Sequence, residues 1–76
     1  MKEIKLKDLY LCGYLLNEGQ SLVRVEKEGQ RCWFVFEKTP LLDGLIDSFW
    51  QDTAITKVRS YVNKIQNLKD MIFSNK

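Results

Sequence analysis

The chain contains no histidine among its 76 residues and only two cysteines. Histidine is the commonest general base and metal ligand, so its absence excludes triads that need an imidazole and most transition-metal sites. Two isolated cysteines, Cys12 and Cys32, make neither a zinc site nor a disulfide scaffold. Both lie inside apolar runs, which predicts reduced, buried thiols.

Phosphate-binding motifs and long apolar segments are also missing. Neither GxGxxG nor GxxxxGK occurs, so no phosphate loop of these types is predicted. Lys2–Lys5 lacks the apolar core of a signal peptide, and no run approaches the ~20 residues of a membrane span. Asp43 and Asp47 stand on what we expect to be a solvated helix face. We therefore expect a cytoplasmic, non-catalytic protein with no cofactor, no metal and no membrane partner.

The composition is that of a globular protein. Hydrophobic residues make up 45% of the chain and charged residues 29%. The net charge of +2 permits an anionic partner without predicting one. At this length, residues 1–76 are expected to form a single domain.

The order of patterns predicts an α+β fold: a helix, an antiparallel β-hairpin and then two helices, the last one long. Alternating residues over 2–7 allow a third, short N-terminal strand. Asp8 is expected to begin the first helix and Gly19 to end it. Gly13, inside that helix, should permit the close approach of another backbone.

Two helices are predicted after the hairpin. Thr39 is expected to cap the first of them, with Pro40 at its first helical position. Asp52 or Thr53 should cap the second, which runs to about Phe73. Its apolar residues repeat at heptad spacing. They are Ala54, Val58, Tyr61, Ile65, Leu68 and Ile72.

The register of the hairpin follows from its apolar pattern. A two-residue loop at 28–29 would pair Val25 with Cys32, Arg24 with Trp33 and Glu26 with Arg31. The inner face would then carry Val23, Val25, Cys32, Phe34 and Phe36. The outer face would carry Leu22, Arg24, Glu26, Arg31, Trp33 and Val35.

The first helix is apolar on nearly every side. Chains of this size bury only about 60% of their unfolded surface, so the excess predicts a partner, most simply a second copy in a homodimer, or another protein. A monomer whose long helix folds over the first helix is the competing explanation. The candidate interface residues are Tyr10, Leu11, Tyr14, Leu22, Trp33 and Val35.

Single-stranded nucleic acid is the alternative partner. An aromatic side chain flanked by cations on a strand surface is typical of proteins that stack single-stranded bases. The chain would then be an accessory protein of a phage or mobile element. The candidate contacts are Arg24, Arg31, Trp33, Lys57 and Lys64.

Several of these residues together resemble a known family. They are Asp8-Leu9-Tyr10-Leu11, Tyr14-Leu15-Leu16, Trp33-Phe34-Val35-Phe36-Glu37, Phe49-Trp50, Tyr61, Asn63, Ile65 and Leu68-Lys69. This pattern is similar to that of short bacterial and phage proteins known only as a domain of unknown function. The resemblance covers roughly residues 6 to 73. It implies a compact single-domain fold and no assigned reaction, catalytic residue or ligand.

Overall fold

The computed structural model describes residues 2–74 and confirms the α+β class. The described residues form three strands and three helices in the predicted order. They are β1 (Glu3–Leu6), α1 (Leu9–Asn17), β2 (Leu22–Glu28), β3 (Arg31–Glu37), α2 (Leu42–Trp50) and α3 (Val58–Ser74).

The strands form one antiparallel sheet in the order β1-β3-β2. The N-terminal strand that alternation allowed is therefore present, and it pairs with β3 so that Ile4 lies opposite Phe36 and Leu6 opposite Phe34. Because β3 is the central strand, it receives neighbours on both edges. Phe34 and Phe36 pack into the core on the inner face, whereas Val35 is buried on the other face between Lys5 and Arg24 of the flanking strands.

Helix α1 begins and ends where its local signals predict. A side-chain oxygen of Asp8 accepts a hydrogen bond from the backbone N–H of Leu11 at 3.0 Å, as an N-cap does. At the other end the helix stops at Asn17, and Gly19 has a φ of +90°. That left-handed conformation favours glycine and turns the chain toward β2.

The predicted hairpin register is wrong by two residues. The loop is 29–30, so Glu28 lies opposite Arg31 and Glu26 opposite Trp33. Gly29, with a φ of +62°, thereby takes the first loop position, where a type II′ hairpin turn favours glycine. The predicted pairs Arg24–Trp33 and Glu26–Arg31 do not form. A shift of two residues leaves each of these side chains on its predicted face, because strand side chains alternate with period two.

An irregularity near the start of β2 changes the faces of two further residues. The register shifts between Leu22 and Arg24, so that Leu22 lies opposite Phe36 while Arg24 lies opposite Val35. A β-bulge of this kind adds one unpaired residue to its strand. Leu22 consequently packs on the inner face, and Val23 is exposed, the reverse of the sequence prediction for both.

The second helix begins later than predicted. Thr39 does not cap α2, because its hydroxyl donates to the side-chain oxygen of Gln20 at 2.7 Å and the first helical residue is Leu42. Asp52, with a φ of +61°, takes a left-handed conformation just after α2 ends.

The last helix also begins later, at Val58. Between the two helices, Thr56 accepts a hydrogen bond from Asn17 at 2.6 Å and donates one to Glu18 at 2.9 Å. These bonds hold the connecting segment at the end of α1. Ala54 packs against the core from that segment rather than from the helix, and the helical seam starts at Tyr61.

Helix α1 is the centre of the core. Its residues 11–15 are all buried, and they pack with Phe34 and Phe36 of the sheet, Leu42 of α2 and Leu68 of α3. Gly13 faces α3 so closely that a Cβ atom there would lie 2.7 Å from Cγ1 of Ile65. The predicted close approach of another backbone at Gly13 is wrong, because the atoms nearest to this position belong to the side chains of Ile65 and Tyr61. The long helix covers the first helix, as in the competing explanation given above.

The two thiols have different surroundings, and this predicts different reactivity. Cys12 is fully buried, and burial, together with the nearby charge of Asp8, raises its pKa to about 12. Cys32 is half-buried on the inner face of β3. We expect Cys12 to react with an aromatic disulfide reagent at pH about 8 only after unfolding, because the thiolate is the reactive form. Cys32 should react first in the native protein. Equal native rates would contradict this placement.

Among residues 2–74, no helix combines the length and the apolar character that crossing a membrane requires.

Candidate functional site

The outer face of the sheet carries a network of ion pairs rather than an open basic patch. The guanidinium of Arg24 binds both carboxylate oxygens of Glu3, at 3.0 and 3.1 Å, and one oxygen of Glu26 at 2.6 Å. The ammonium of Lys5 binds the other oxygen of Glu26 at 2.8 Å. Four charged side chains from β1 and β2 therefore meet above the central strand.

This charged network lies over Val35. The valine is fully buried, yet it points away from the core, and its neighbours in register are Lys5 on one side and Arg24 on the other. The aliphatic stems of long charged side chains often cover apolar surface in this way. Val35 is thus shielded by the network and cannot contact a partner while the network is intact. Its predicted place in an exposed interface is wrong.

The network also shifts the pKa values of its members in the directions that ion pairing requires. The hydrogen bond from Arg24 lowers the pKa of Glu3 below 4.5. The bonds from Lys5 and then Arg24 lower that of Glu26. In the same way, Glu26 raises the pKa of Lys5. Glu3, Lys5 and Arg24 are solvent-exposed and Glu26 is half-buried, so the network contributes modestly to stability.

Replacing Arg24 should lower stability near neutral pH and much less in acid. Arg24→Met keeps the stem over Val35 but removes the charge. Because the two glutamate pKa values are lowered on folding, the stabilisation is present above pH 4.5 and is lost as the pH falls below it. The difference in unfolding free energy between wild type and variant should narrow between pH about 7 and pH about 3 in urea denaturation. Arg31→Met, at the exposed turn, serves as the control. A difference independent of pH would contradict this account.

An apolar groove lies beside β1, between the end of the sheet, the start of α1 and α2. Its volume is about 580 Å³. It contains two tryptophans, the half-buried Trp33 of β3 and the exposed Trp50 of α2. The ring of Phe49 meets that of Trp50 edge-on at 5.1 Å between centroids. The remaining lining residues are Lys5, Leu6, Lys7, Asp8, Leu11 and Ile46.

Of the six predicted interface residues, the structure leaves two available. Tyr10 is exposed on α1, and Trp33 lines the groove. Leu11 and Tyr14 are buried in the core, where the ring of Tyr14 lies 6.0 Å from that of Phe49. The prediction that Leu11 and Tyr14 are exposed is wrong, because α2 and α3 cover α1. Leu22 is half-buried on the inner face, and Val35 is fully buried beneath the charged network.

The five predicted nucleic-acid contacts do not form one surface. Arg24 is neutralised by two carboxylates, Arg31 lies opposite Glu28 at the hairpin turn, and Trp33 lines the groove. Lys57 and Lys64 belong to the α3 side of the molecule. Helix α3 packs on α1, and its Ile72 lies beside Phe34 on the inner face of the sheet, so this helix is on the side opposite the outer face.

A row of exposed apolar residues on α3 was missed as a surface feature. Val58, Val62 and Phe73 are 73%, 55% and 67% exposed. They lie beside the seam of Tyr61, Ile65, Leu68 and Ile72, which faces the core. The predicted place of Val58 in the seam is wrong, because the seam that faces the core starts at Tyr61. Val62 and Phe73 lie on a second helical stripe, offset from the seam. We call Val58, Val62 and Phe73 the α3 outer row.

The acidic side chains are the candidate metal ligands in the described part of the chain. Within residues 2–74, no group of three or more cysteine, aspartate or glutamate side chains is placed to hold one. Asp43 and Asp47 are exposed on α2. Asp8 is engaged as a helix cap.

These features define a small α+β protein with a three-stranded antiparallel sheet, a central buried helix and two covering helices. A family model described as a domain of unknown function (DUF5659) matches residues 1–74. The chain therefore belongs to this family, as its resemblance implied. Searches of curated proteins and of solved structures found no match.

Proposed function

We propose that this protein is a small non-catalytic interaction module that self-associates. The observation that carries the proposal is the α3 outer row, in which three large apolar side chains stay exposed beside a helix seam already buried against α1. Large apolar side chains left exposed together on one helix face are typical of an interaction site. The non-catalytic part rests on composition, since the chain has no histidine and its motifs match no known phosphate loop.

Sedimentation equilibrium tests self-association directly. We expect a mass close to twice the 9.0 kDa of one chain at about 100 μM protein, where a dimer with a dissociation constant of ~10 μM is mostly formed. The mass should fall toward that of one chain on dilution to about 1 μM. A single-chain mass at every concentration would overturn the proposal.

Single-stranded nucleic acid remains the second candidate, now at the groove rather than on the outer face. The observation that favours it is that two indole rings and the side chains of Lys5 and Lys7 line the same groove. Bases stack on aromatic side chains in many single-strand binders. On this reading the chain would be an accessory protein of a phage or mobile element.

An electrophoretic assay with single-stranded oligonucleotides tests that candidate. Binding through phosphates should weaken steeply between about 50 and about 200 mM salt, because counterions are released. Trp33→Ala should weaken it by ~1–3 kcal/mol. Quenching of Trp33 fluorescence is measured in a Trp50→Phe background, since both tryptophans emit. Absence of binding at low salt would exclude this function and leave self-association untouched.

A further inference from the structure

The α3 outer row has a symmetric arrangement along its helix. Val58, Val62, Lys69 and Phe73 follow one another at steps of four, seven and four residues. At 100° per residue these four positions fall within an arc of about 60° on the helix surface. The spacing, rather than the residue type, is the same from either end, so that reversing the helix exchanges Val58 with Phe73 and Val62 with Lys69. A face of this kind can meet an inverted copy of itself.

We propose that the partner is a second copy of the chain and that the two α3 helices pack antiparallel about a two-fold axis. This inference rests on the proposed self-association. With the axis midway between residues 65 and 66, Val58 lies opposite Phe73 of the partner subunit. Val62 lies opposite the aliphatic stem of Lys69 of the partner subunit, whose ammonium reaches solvent. Each apolar contact occurs twice, as an isologous interface requires.

The charges beside the row favour the antiparallel direction. Arg59, Gln66 and Asp70 lie on one flank of it. A two-fold axis perpendicular to both helices brings each flank against the same flank of the partner. Arg59 then lies within about 3 Å, measured along the axis, of Asp70 of the partner subunit. In a parallel pair the two-fold axis runs along the helices and puts the two copies of this flank on opposite sides of the interface, so Arg59 would meet no Asp70 of the partner subunit.

The carboxylate of Asp70 is already oriented within its own helix. The amide nitrogen of Gln66 donates a hydrogen bond to one of its oxygens at 3.0 Å. Among residues 2–74 the hydrogen bond from Gln66 engages one oxygen of Asp70, and in the proposed dimer the second oxygen accepts from the guanidinium of Arg59 of the partner subunit. The flank therefore supplies two symmetric intermolecular ion pairs around the apolar contacts.

The expected interface is small. Helix α3 has 17 residues, so the paired region is about 25 Å long. A contact made by one helix face falls below the standard interface of ~1,600 Å². We therefore expect a dissociation constant of about 10 μM or weaker, which dilutes to monomer in ordinary chromatography.

A charge-reversal experiment tests the geometry. Arg59→Asp and Asp70→Arg should each weaken dimerisation about tenfold in sedimentation, because each replaces two attractive pairs by two repulsive ones. The double variant Arg59→Asp/Asp70→Arg should restore dimerisation to within about threefold of wild type. Within one helix these residues are eleven positions apart, too distant to pair, so restoration reports a contact between subunits. A double variant as weak as either single variant would overturn the antiparallel pairing.

An apolar pair of variants supplies the matched control. Val62→Glu should reduce dimerisation more than tenfold, whereas Ile55→Glu should leave it unchanged. Ile55 is 88% exposed but lies in the segment before α3. Thermal unfolding confirms that each variant is folded. If the wild type dimerises and all the α3 variants dimerise equally well, the proposed interface is refuted but self-association is not. Wild type that stays monomeric would refute the proposed function itself.

Discussion

Phe34→Ala is expected to lower the free energy of unfolding by about 3–5 kcal/mol. Phe34 lies on the central strand, is 1% exposed and packs in the same cluster as Leu11, Leu15 and Leu68. Removing the ring leaves a cavity that the sheet and α1 can close only in part. The measurement is urea denaturation followed by far-ultraviolet circular dichroism, with the transition checked for a single cooperative step.

Val23→Ala is the control on the same sheet. Val23 is a β-branched strand residue that the register shift in β2 leaves exposed. Truncating the Val23 side chain should lower the free energy of unfolding by less than about 1 kcal/mol. If Phe34→Ala lowered the free energy of unfolding by less than about 1 kcal/mol, β3 would not carry the core on the assigned face.

Gly13→Ala is expected to destabilise the protein by about 1–3 kcal/mol, although alanine is the better helix former. The added Cβ would lie 2.7 Å from Cγ1 of Ile65 and 3.5 Å from a ring carbon of Tyr61. Cγ1 of Ile65 is next to the branch point of a buried side chain, so α3 itself must move away. Tyr61 donates a hydrogen bond to the backbone oxygen of Tyr10 at 3.0 Å, and this movement would strain that bond.

The same substitution at Gly44 provides a matched comparison. Gly44 lies inside α2 and is exposed, and a Cβ there meets no described atom within 4 Å. Gly44→Ala should therefore stabilise the protein by about 0.5–1 kcal/mol through helix propensity alone. Thermal and urea unfolding of the two variants should shift in opposite directions. Ile65→Ala should also reduce the cost of Gly13→Ala in a double-mutant cycle. Shifts in the same direction would show that α3 does not press on Gly13.

Elements governed by neighbours in sequence could be predicted. The capping of α1 by Asp8, the turn at Gly19 and the order of helices and strands all depend on interactions within a few residues. The start of α3 could not be predicted in this way. The segment before it is held by a hydrogen bond that Thr56 accepts from Asn17 and by another that Thr56 donates to Glu18. Those partners lie almost 40 positions away, beyond the reach of helix propensity.

The hairpin register shows a similar limit. A shift of two residues leaves Val25 and Phe34 on one face and Arg24 and Trp33 on the other, so the apolar pattern favours neither register over the other. Turn geometry at Gly29 decided the difference. The consequence is functional, since the observed register places Arg24 beside Glu3 and over Val35, and so removes a predicted nucleic-acid contact.

The candidate site was predictable only in part. Trp33 could be singled out as a surface aromatic from its strand position. The groove around it also requires Trp50 and Ile46, which α2 brings beside the end of β1. That arrangement depends on how α2 leaves β3 and packs on α1, and no local pattern encodes it.

The sequence by itself determined that α1 must be buried on nearly every side, because the side chains of residues 11–15 leave water no favourable face. Only the tertiary structure decided what buries it. Covering by the chain's own helices and covering by a second copy bury the same apolar residues, so their hydrophobic free energies are alike at the level of sequence. The missing side chain of Gly13 admits Ile65 of α3, and this close approach lets the chain cover α1 by itself. Val58, Val62 and Phe73 of α3 are among the large apolar residues that this arrangement leaves exposed.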